Sequence, residues 1–196
     1  DSFMCLINPI VGLINTAIYS GLESMGEGSK IALGIVLAGM MAIDMGGPFN
    51  KAAYVFGTST LAAVSASEGS DVMAAVMMGG MVPPLAIACA TFFFRNRFTN
   101  EERKSGIVSF IMGLCFITEG AIPFAAADPL RVLPACIVGS GVAGALSMAF
   151  GCALPAPHGG VFVFPVMTNV VGYLIALAVG TAVGTVLLGL LKKKKS

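Results

Sequence analysis

The sequence predicts an all-α integral membrane protein, with transmembrane helices and two re-entrant hairpins. Three observations carry that prediction. Of 196 residues, 57% are apolar and only 11% are charged, with a mean hydropathy of +0.92. A soluble domain carries ~25% charged residues to keep its surface hydrated, so most of this surface is expected to face lipid. The 25 glycines and 10 prolines cluster with polar residues, which marks interrupted helices rather than plain spans. Finally, the basic residues gather in RNRFTNEERK (95–104) and in the terminal Lys192 to Lys195, and the positive-inside rule assigns both to the cytoplasmic side.

The elements follow in order. Residues 3–22 form a first apolar stretch, interrupted by Asn8, Pro9 and Asn15. Residues 31–43 are apolar but short of the ~20 that a helix needs to cross the hydrocarbon core. They run into the polar, Gly-rich segment 44–51. Residues 52–66 are rich in small side chains, and Ser67, Glu68, Gly69, Ser70 and Asp71 read as an exposed loop. Residues 72–94 form a long span with a break expected at Pro83–Pro84.

If both basic clusters share a side, an even number of crossings separates them. Residues 132–150 and 168–191 supply two. The remaining segments, 106–128 and 152–165, are then re-entrant hairpins, the first from the cytoplasm and the second from outside, with tips near the midplane. Paired broken segments of this kind point to a transporter substrate site.

The composition excludes several function classes. Net charge is +1 and the pI about 7.8, leaving no basic face for nucleic acid. The apolar content excludes disorder. Cys5, Cys89, Cys115, Cys136 and Cys152 lack metal-ligand spacing and read as small apolar residues. No phosphate-binding glycine loop follows a strand, so no nucleotide and no other cofactor is expected. The chain opens at Asp1 without a basic, cleavable leader, and is expected to be a fragment of a longer polypeptide.

Four places could hold chemistry. Glu119 lies between apolar runs in Thr118-Glu119-Gly120, and a carboxylate at membrane depth costs ~2.5–3.5 kcal/mol unless protein or water receives it. It is either solvated at an interface or an acceptor for ligand hydroxyls. His158, the single histidine, sits among Pro155, Pro157, Gly159 and Gly160, where backbone groups are free to bind; structural and ligand-binding roles are both open. Asp44, Asn50 and Lys51 surround Gly46-Gly47-Pro48. They form either a cytoplasmic turn or an unwound membrane segment that meets a polar ligand. Asp128 and Pro129 read as a helix start with Asp128 as its cap, and Arg131 is free to pair with Asp128 or a phosphate. Gly180 and Gly184 make a GxxxG packing signal.

Three stretches, GGPFNKAAYVFG (46–57), ITEGAIPFAAADPLRVLP (117–134) and PAPHGGVFVFP (155–165), closely resemble the fructose-type enzyme IIC of the bacterial phosphoenolpyruvate-dependent sugar phosphotransferase system. They are long, in the family's order, and span most of the chain. The resemblance covers roughly the C-terminal half of a typical enzyme IIC domain. It implies that residues 1–196 are its transport and sugar-binding part, without the N-terminal scaffold helices that also make most of the homodimer contact.

The resemblance further implies a multi-pass protein of the bacterial inner membrane. Such a protein would carry fructose or a related hexose across the bilayer while a phosphocysteine on enzyme IIB, charged through IIA, phosphorylates it. Glu119 would then be the catalytic and sugar-binding carboxylate, with His158, Gly159, Asn50 and Lys51 near the sugar. No Cys-Pro-Thr-Gly loop of the IIB type is present, so none of the five cysteines is expected to carry the phosphoryl group. The alternative is an ion-coupled secondary transporter in which Glu119 and Asp44 hold a proton or cation. A purely structural scaffold leaves the polar breaks unexplained.

Overall fold

The computed structural model describes residues 29–62, 64 and 68–194. The expected first stretch at 3–22, Cys5, and parts of the 52–66 and 67–71 segments lie outside them. Every regular element among the described residues is helical: α1 (Lys30–Ile43), α2 (Pro48–Leu61), α3 (Asp71–Phe93), α4 (Asn100–Leu114), α5 (Ile122–Ala127), α6 (Pro129–Ala149) and α7 (Val170–Leu191). Short 3-10 turns cover Arg95–Arg97, Thr118–Ala121 and Val161–Val166. Helices α3, α6 and α7 are long and apolar enough to cross a membrane.

The core is α3. Its side chains from Met73 through Ala88 are buried on every face, because α1, α4, α6 and α7 all pack against it. An all-round apolar sequence suits that position, where an amphipathic stripe would leave polar groups stranded. Small residues set the crossings. A β-carbon on Gly79 would stand 2.5 Å from the Ala38 α-carbon, and one on Gly180 would stand 2.6 Å from the Gly139 carbonyl oxygen. The GxxxG signal of α7 is therefore a seat for α6.

Contacts along α3 fix the direction of its neighbours. Lys30 pairs with Asp71 at 3.4 Å, and Ala38 meets Gly79, so α1 runs parallel to α3 and ends beside its middle. Helix α2 returns from there, with the Thr60 hydroxyl 2.5 Å from that of Ser70. From the opposite end comes α4. Gly106 backs onto Thr91, Gly113 onto Leu85, and the Ser109 hydroxyl donates to the Pro84 carbonyl at 3.1 Å. The chain then doubles back, so that Ser109 also reaches the Gly120 carbonyl at 3.1 Å.

The loop after α6 is pinned at its base by two antiparallel bridges, Ser70 with Leu154 and Ala153 with Thr168. Ser70 and Gly69 are accordingly buried rather than part of an exposed loop. The two basic clusters meet at the other end of the bundle. Lys192 forms a 3.2 Å ion pair with Glu102, lies 4.3 Å from the Phe98 ring centroid, and gives its carbonyl to Arg97.

Two expectations need correction. The break at Pro83–Pro84 does not occur, and α3 is one helix through both prolines. A proline removes the N–H that would bond the carbonyl four residues earlier. Here those carbonyls belong to Gly79 and Gly80, and each accepts a hydroxyl instead: Ser140 donates to Gly79 at 2.9 Å and Thr118 to Gly80 at 2.8 Å. The second correction concerns Asp128. Its side chain caps no N–H of α6 but holds Arg131 through both oxygens, at 3.0 and 3.1 Å.

Candidate functional site

Three fold-backs converge beside the middle of α3. The first is the turn between α1 and α2. Leaving α1, the chain places Met45 and Gly46 at φ 46° and 114°, the left-handed region that glycine enters without strain. Asp44 then closes the start of α2: its two carboxylate oxygens accept the N–H groups of Phe49 and Asn50 at 2.7 and 2.9 Å. A carboxylate over the first N–H groups of a helix is a capping arrangement favoured by the helix dipole. The Asn50 amide turns inward and donates to the Met41 carbonyl at 2.8 Å, so it fastens α2 to the end of α1. Lys51 is exposed, one turn before Tyr54 on the same helix face.

The second is the tip after α4. Phe116 takes φ 61°, a costly conformation for a bulky residue, and the surrounding structure holds it there. Its ring fills the space beside Gly80, where a β-carbon would stand 2.5 Å from the Phe116 Cε2 atom. Thr118, buried and bonded to Gly80, fixes the turn that follows. Glu119 is therefore the residue after a double anchor, and its side chain is exposed. It lies against the first turn: a β-carbon on Gly46 would be 2.8 Å from Glu119 Oε1.

The third is the loop carrying Pro155, Pro157 and His158. Tyr54 of α2 donates to the Pro157 carbonyl at 2.8 Å. His158 accepts the Gly159 N–H on Nδ1 at 2.7 Å, which assigns the proton of a neutral ring to Nε2 and makes that nitrogen a donor. The imidazole is exposed and meets the Phe116 ring edge-on, with centroids 6.0 Å apart. Gly159 and Gly160 are buried beneath it. A β-carbon on Gly159 would be 2.6 Å from the Phe116 ring, and one on Gly160 would be 2.7 Å from the Leu114 carbonyl oxygen.

The structure thus brings Glu119 to the Gly46 turn and His158 to the tip that carries Glu119. Asn50, on α2, gives its amide to the Met41 carbonyl of α1, and Lys51 stands exposed on the same helix; no hydrogen bond among the described residues links either to Glu119 or His158. Chemically the arrangement offers an ionisable acceptor, an imidazole donor and a lysine on an exposed surface, set on a buried backbone frame. Such a set suits a neutral, hydroxyl-rich ligand, which needs convergent donors and acceptors rather than a compensating charge. Among the described residues no cluster of three or more His, Cys, Asp or Glu side chains could hold a metal ion.

Sequence reasoning missed Phe116, Tyr54 and the positioning role of Thr118. Tyr54 and Thr118 lay inside two of the quoted motifs, and a hydroxyl beside a Gly-rich turn is a readable signal. Phe116 carried none, since positive φ in a phenylalanine has no sequence signature.

Residues 2–139 match the family model described as Phosphotransferase system, EIIC. The chain is 50% identical over 188 residues to the PTS system fructose-specific EIIABC component of Bacillus subtilis strain 168, covering 96% of this chain and 29% of that protein. It is also 50% identical to the Fructose permease IIC component of Bacillus amyloliquefaciens, over 96% of this chain and 60% of the relative. The PTS system fructose-specific EIIB'BC component of Escherichia coli K12 is 47% identical, over 94% and 32%. The chain therefore spans between 29% and 60% of these relatives' lengths. No solved structure matches.

Proposed function

The chain belongs to the phosphotransferase system EIIC family, and from that membership we propose that it is the sugar-binding transport part of a fructose permease. In this reading fructose, or a related hexose, rests against Glu119, His158, Gly159, Asn50 and Lys51. The protein is a membrane protein. Its proposed location is the bacterial inner membrane, crossed several times, with scaffold helices and a homodimer contact supplied by the rest of the parent chain. The fold-backs at 106–128 and 152–165 serve as re-entrant hairpins, and the turn between α1 and α2 serves as a third approach to the sugar.

The observation that carries the proposal is the convergence of three separate motif segments on one frame, with Glu119 against Gly46 and Phe116 against His158. Glu119 orients the acceptor hydroxyl and takes its proton as the hydroxyl oxygen attacks phosphorus. The oxygen–phosphorus bond forms as the phosphorus–sulfur bond of a phosphocysteine on the IIB partner breaks, and the thiolate leaves with the electron pair. Little covalent chemistry falls to the permease itself. Positioning and charge stabilisation carry such a transfer.

The test uses membrane vesicles containing the full-length parent chain, phosphoenolpyruvate, the soluble phosphotransferase proteins, the IIA and IIB partners, and labelled fructose. Sugar phosphate inside the vesicles that requires the whole phosphorelay, and falls away in Glu119→Gln, is the expected result. Free fructose accumulating on an ion gradient without the phosphorelay would instead make the protein a secondary transporter. Full sugar affinity and phosphorylation rate in Glu119→Gln would remove the role given to that carboxylate.

A further inference from the structure

A cleft of about 350 Å³ opens at the basic end of the bundle, remote from the fold-back tips, between the end of α3 and the start of α4. Its rim carries Arg95, Arg103 and Lys104 together with Asn100, and its wall carries Phe92 and Ile107. The arginines are held in place. Arg95 Nε donates to the Phe92 carbonyl at 3.3 Å, and Arg103 donates to the Asn100 side chain at 3.4 Å.

No carboxylate lines the cleft, so its three cations are not neutralised there. The neighbouring Glu102 is turned away, toward the Thr99 N–H at 2.7 Å and Lys192 at 3.2 Å. The apolar wall does not end at the cleft. It continues one turn along α4 to Ile111, 58% exposed.

We propose that this cleft binds an anionic phospholipid, its phosphate among Arg95, Arg103 and Lys104 and its acyl chain along Phe92 and Ile107. A concave cationic rim joined to an exposed apolar strip matches an amphiphile with one negative end. A free anion would have no use for the strip, and an acidic protein surface would not enter a cleft of this size. Guanidinium groups suit the phosphate because they present two parallel donors to its oxygens. The site lies on the face to which the positive-inside rule assigns basic residues, where basic pockets beside transmembrane helices take up anionic headgroups. It is independent of the sugar site.

The test is a titration of the detergent-purified full-length parent protein with phosphatidylglycerol or phosphatidylcholine, read by native mass spectrometry and by the thermal midpoint. Phosphatidylglycerol adducts should exceed phosphatidylcholine adducts by about tenfold and raise the midpoint by about 2–4 °C. The triple variant Arg95→Gln, Arg103→Gln, Lys104→Gln should lose both effects. Lys30→Gln at the opposite end should keep both. If the triple variant does not fold, the exposed single variants Arg95→Gln and Lys104→Gln should each weaken the preference.

Equal binding of the two lipids would overturn the proposal. So would inorganic phosphate giving the same midpoint shift and displacing the lipid, since the site would then be for a free anion. Loss of IIB-dependent phosphorylation in the triple variant with lipid adducts unchanged would make the cleft a protein-docking face instead.

Discussion

Glu119 and Gly46, 73 positions apart, are in contact: a β-carbon on the glycine would stand 2.8 Å from the carboxylate oxygen Oε1. Gly46 also holds φ at 114°. Gly46→Ala is therefore doubly disfavoured, by backbone strain and by displacement of the carboxylate. We expect about 10²-fold slower fructose phosphorylation in the full-length protein, with membrane insertion retained. Wild-type phosphorylation in that variant would show that the contact does not position Glu119.

The Thr118 hydroxyl donates to the Gly80 carbonyl, and Pro84 is the reason that carbonyl is open. Thr118→Val should cost about 1–3 kcal/mol, because it strands a buried acceptor. Adding Pro84→Ala restores an N–H four residues from Gly80 and should recover much of that stability. The sugar affinity, by contrast, should stay low in the double variant, since the turn carrying Glu119 has lost its anchor. Thermal unfolding and fructose binding measured on all three variants separate the two effects.

Phe116 and His158 meet edge-on at 6.0 Å. Substituting each with alanine, singly and together, should give a coupling of about 0.5–1.5 kcal/mol in sugar affinity. Strict additivity would mean that the ring contact does not orient the imidazole.

The ion pair between Lys192 and Glu102 has side chains only 2% and 15% exposed. Lys192→Met should destabilise by about 3–5 kcal/mol, because it removes the cation from beside a largely buried carboxylate. The double variant with Glu102→Gln should be less damaging than Lys192→Met alone. Thermal midpoints of the three variants check this.

Cys115 is half-buried at the tip beside Gly160, while Cys136 and Cys152 are buried. In a Cys5→Ser background, maleimide should label Cys115 and the half-buried Cys89 but spare Cys136 and Cys152. Saturating fructose should slow labelling of Cys115 and leave Cys89 unchanged. Equal labelling of Cys115 with and without sugar would place the ligand away from the tip.

Much of this arrangement was legible in the chain, and for identifiable reasons. The long apolar runs gave α6 and α7 because a twenty-residue stretch of such composition has few other solutions. Both basic clusters were expected on one side, and Lys192 does meet Glu102. The three motifs marked the residues that converge. What could not be read was whatever depends on distant partners. Pro83 and Pro84 look like a break until Ser140 and Thr118 supply the missing donors. Asp128 looks like a cap until Arg131 takes both its oxygens. Asp44 was one of several polar residues near a glycine pair, and only the fold shows it bonded to Phe49 and Asn50.

The proline pair in α3 has a consequence for how the molecule is assembled. A helix normally completes its own bonding as it is synthesised, from residues at most one turn away. This one cannot, because the groups that finish it lie 38 and 61 positions downstream of Gly80 and Gly79. Until α6 and the tip after α4 have arrived, two carbonyls in the middle of α3 have no partner, a costly state in hydrocarbon. Completing the bonding of α3 therefore waits on both the tip after α4 and α6. A chain truncated before residue 140 would lack the hydroxyl that the Gly79 carbonyl accepts.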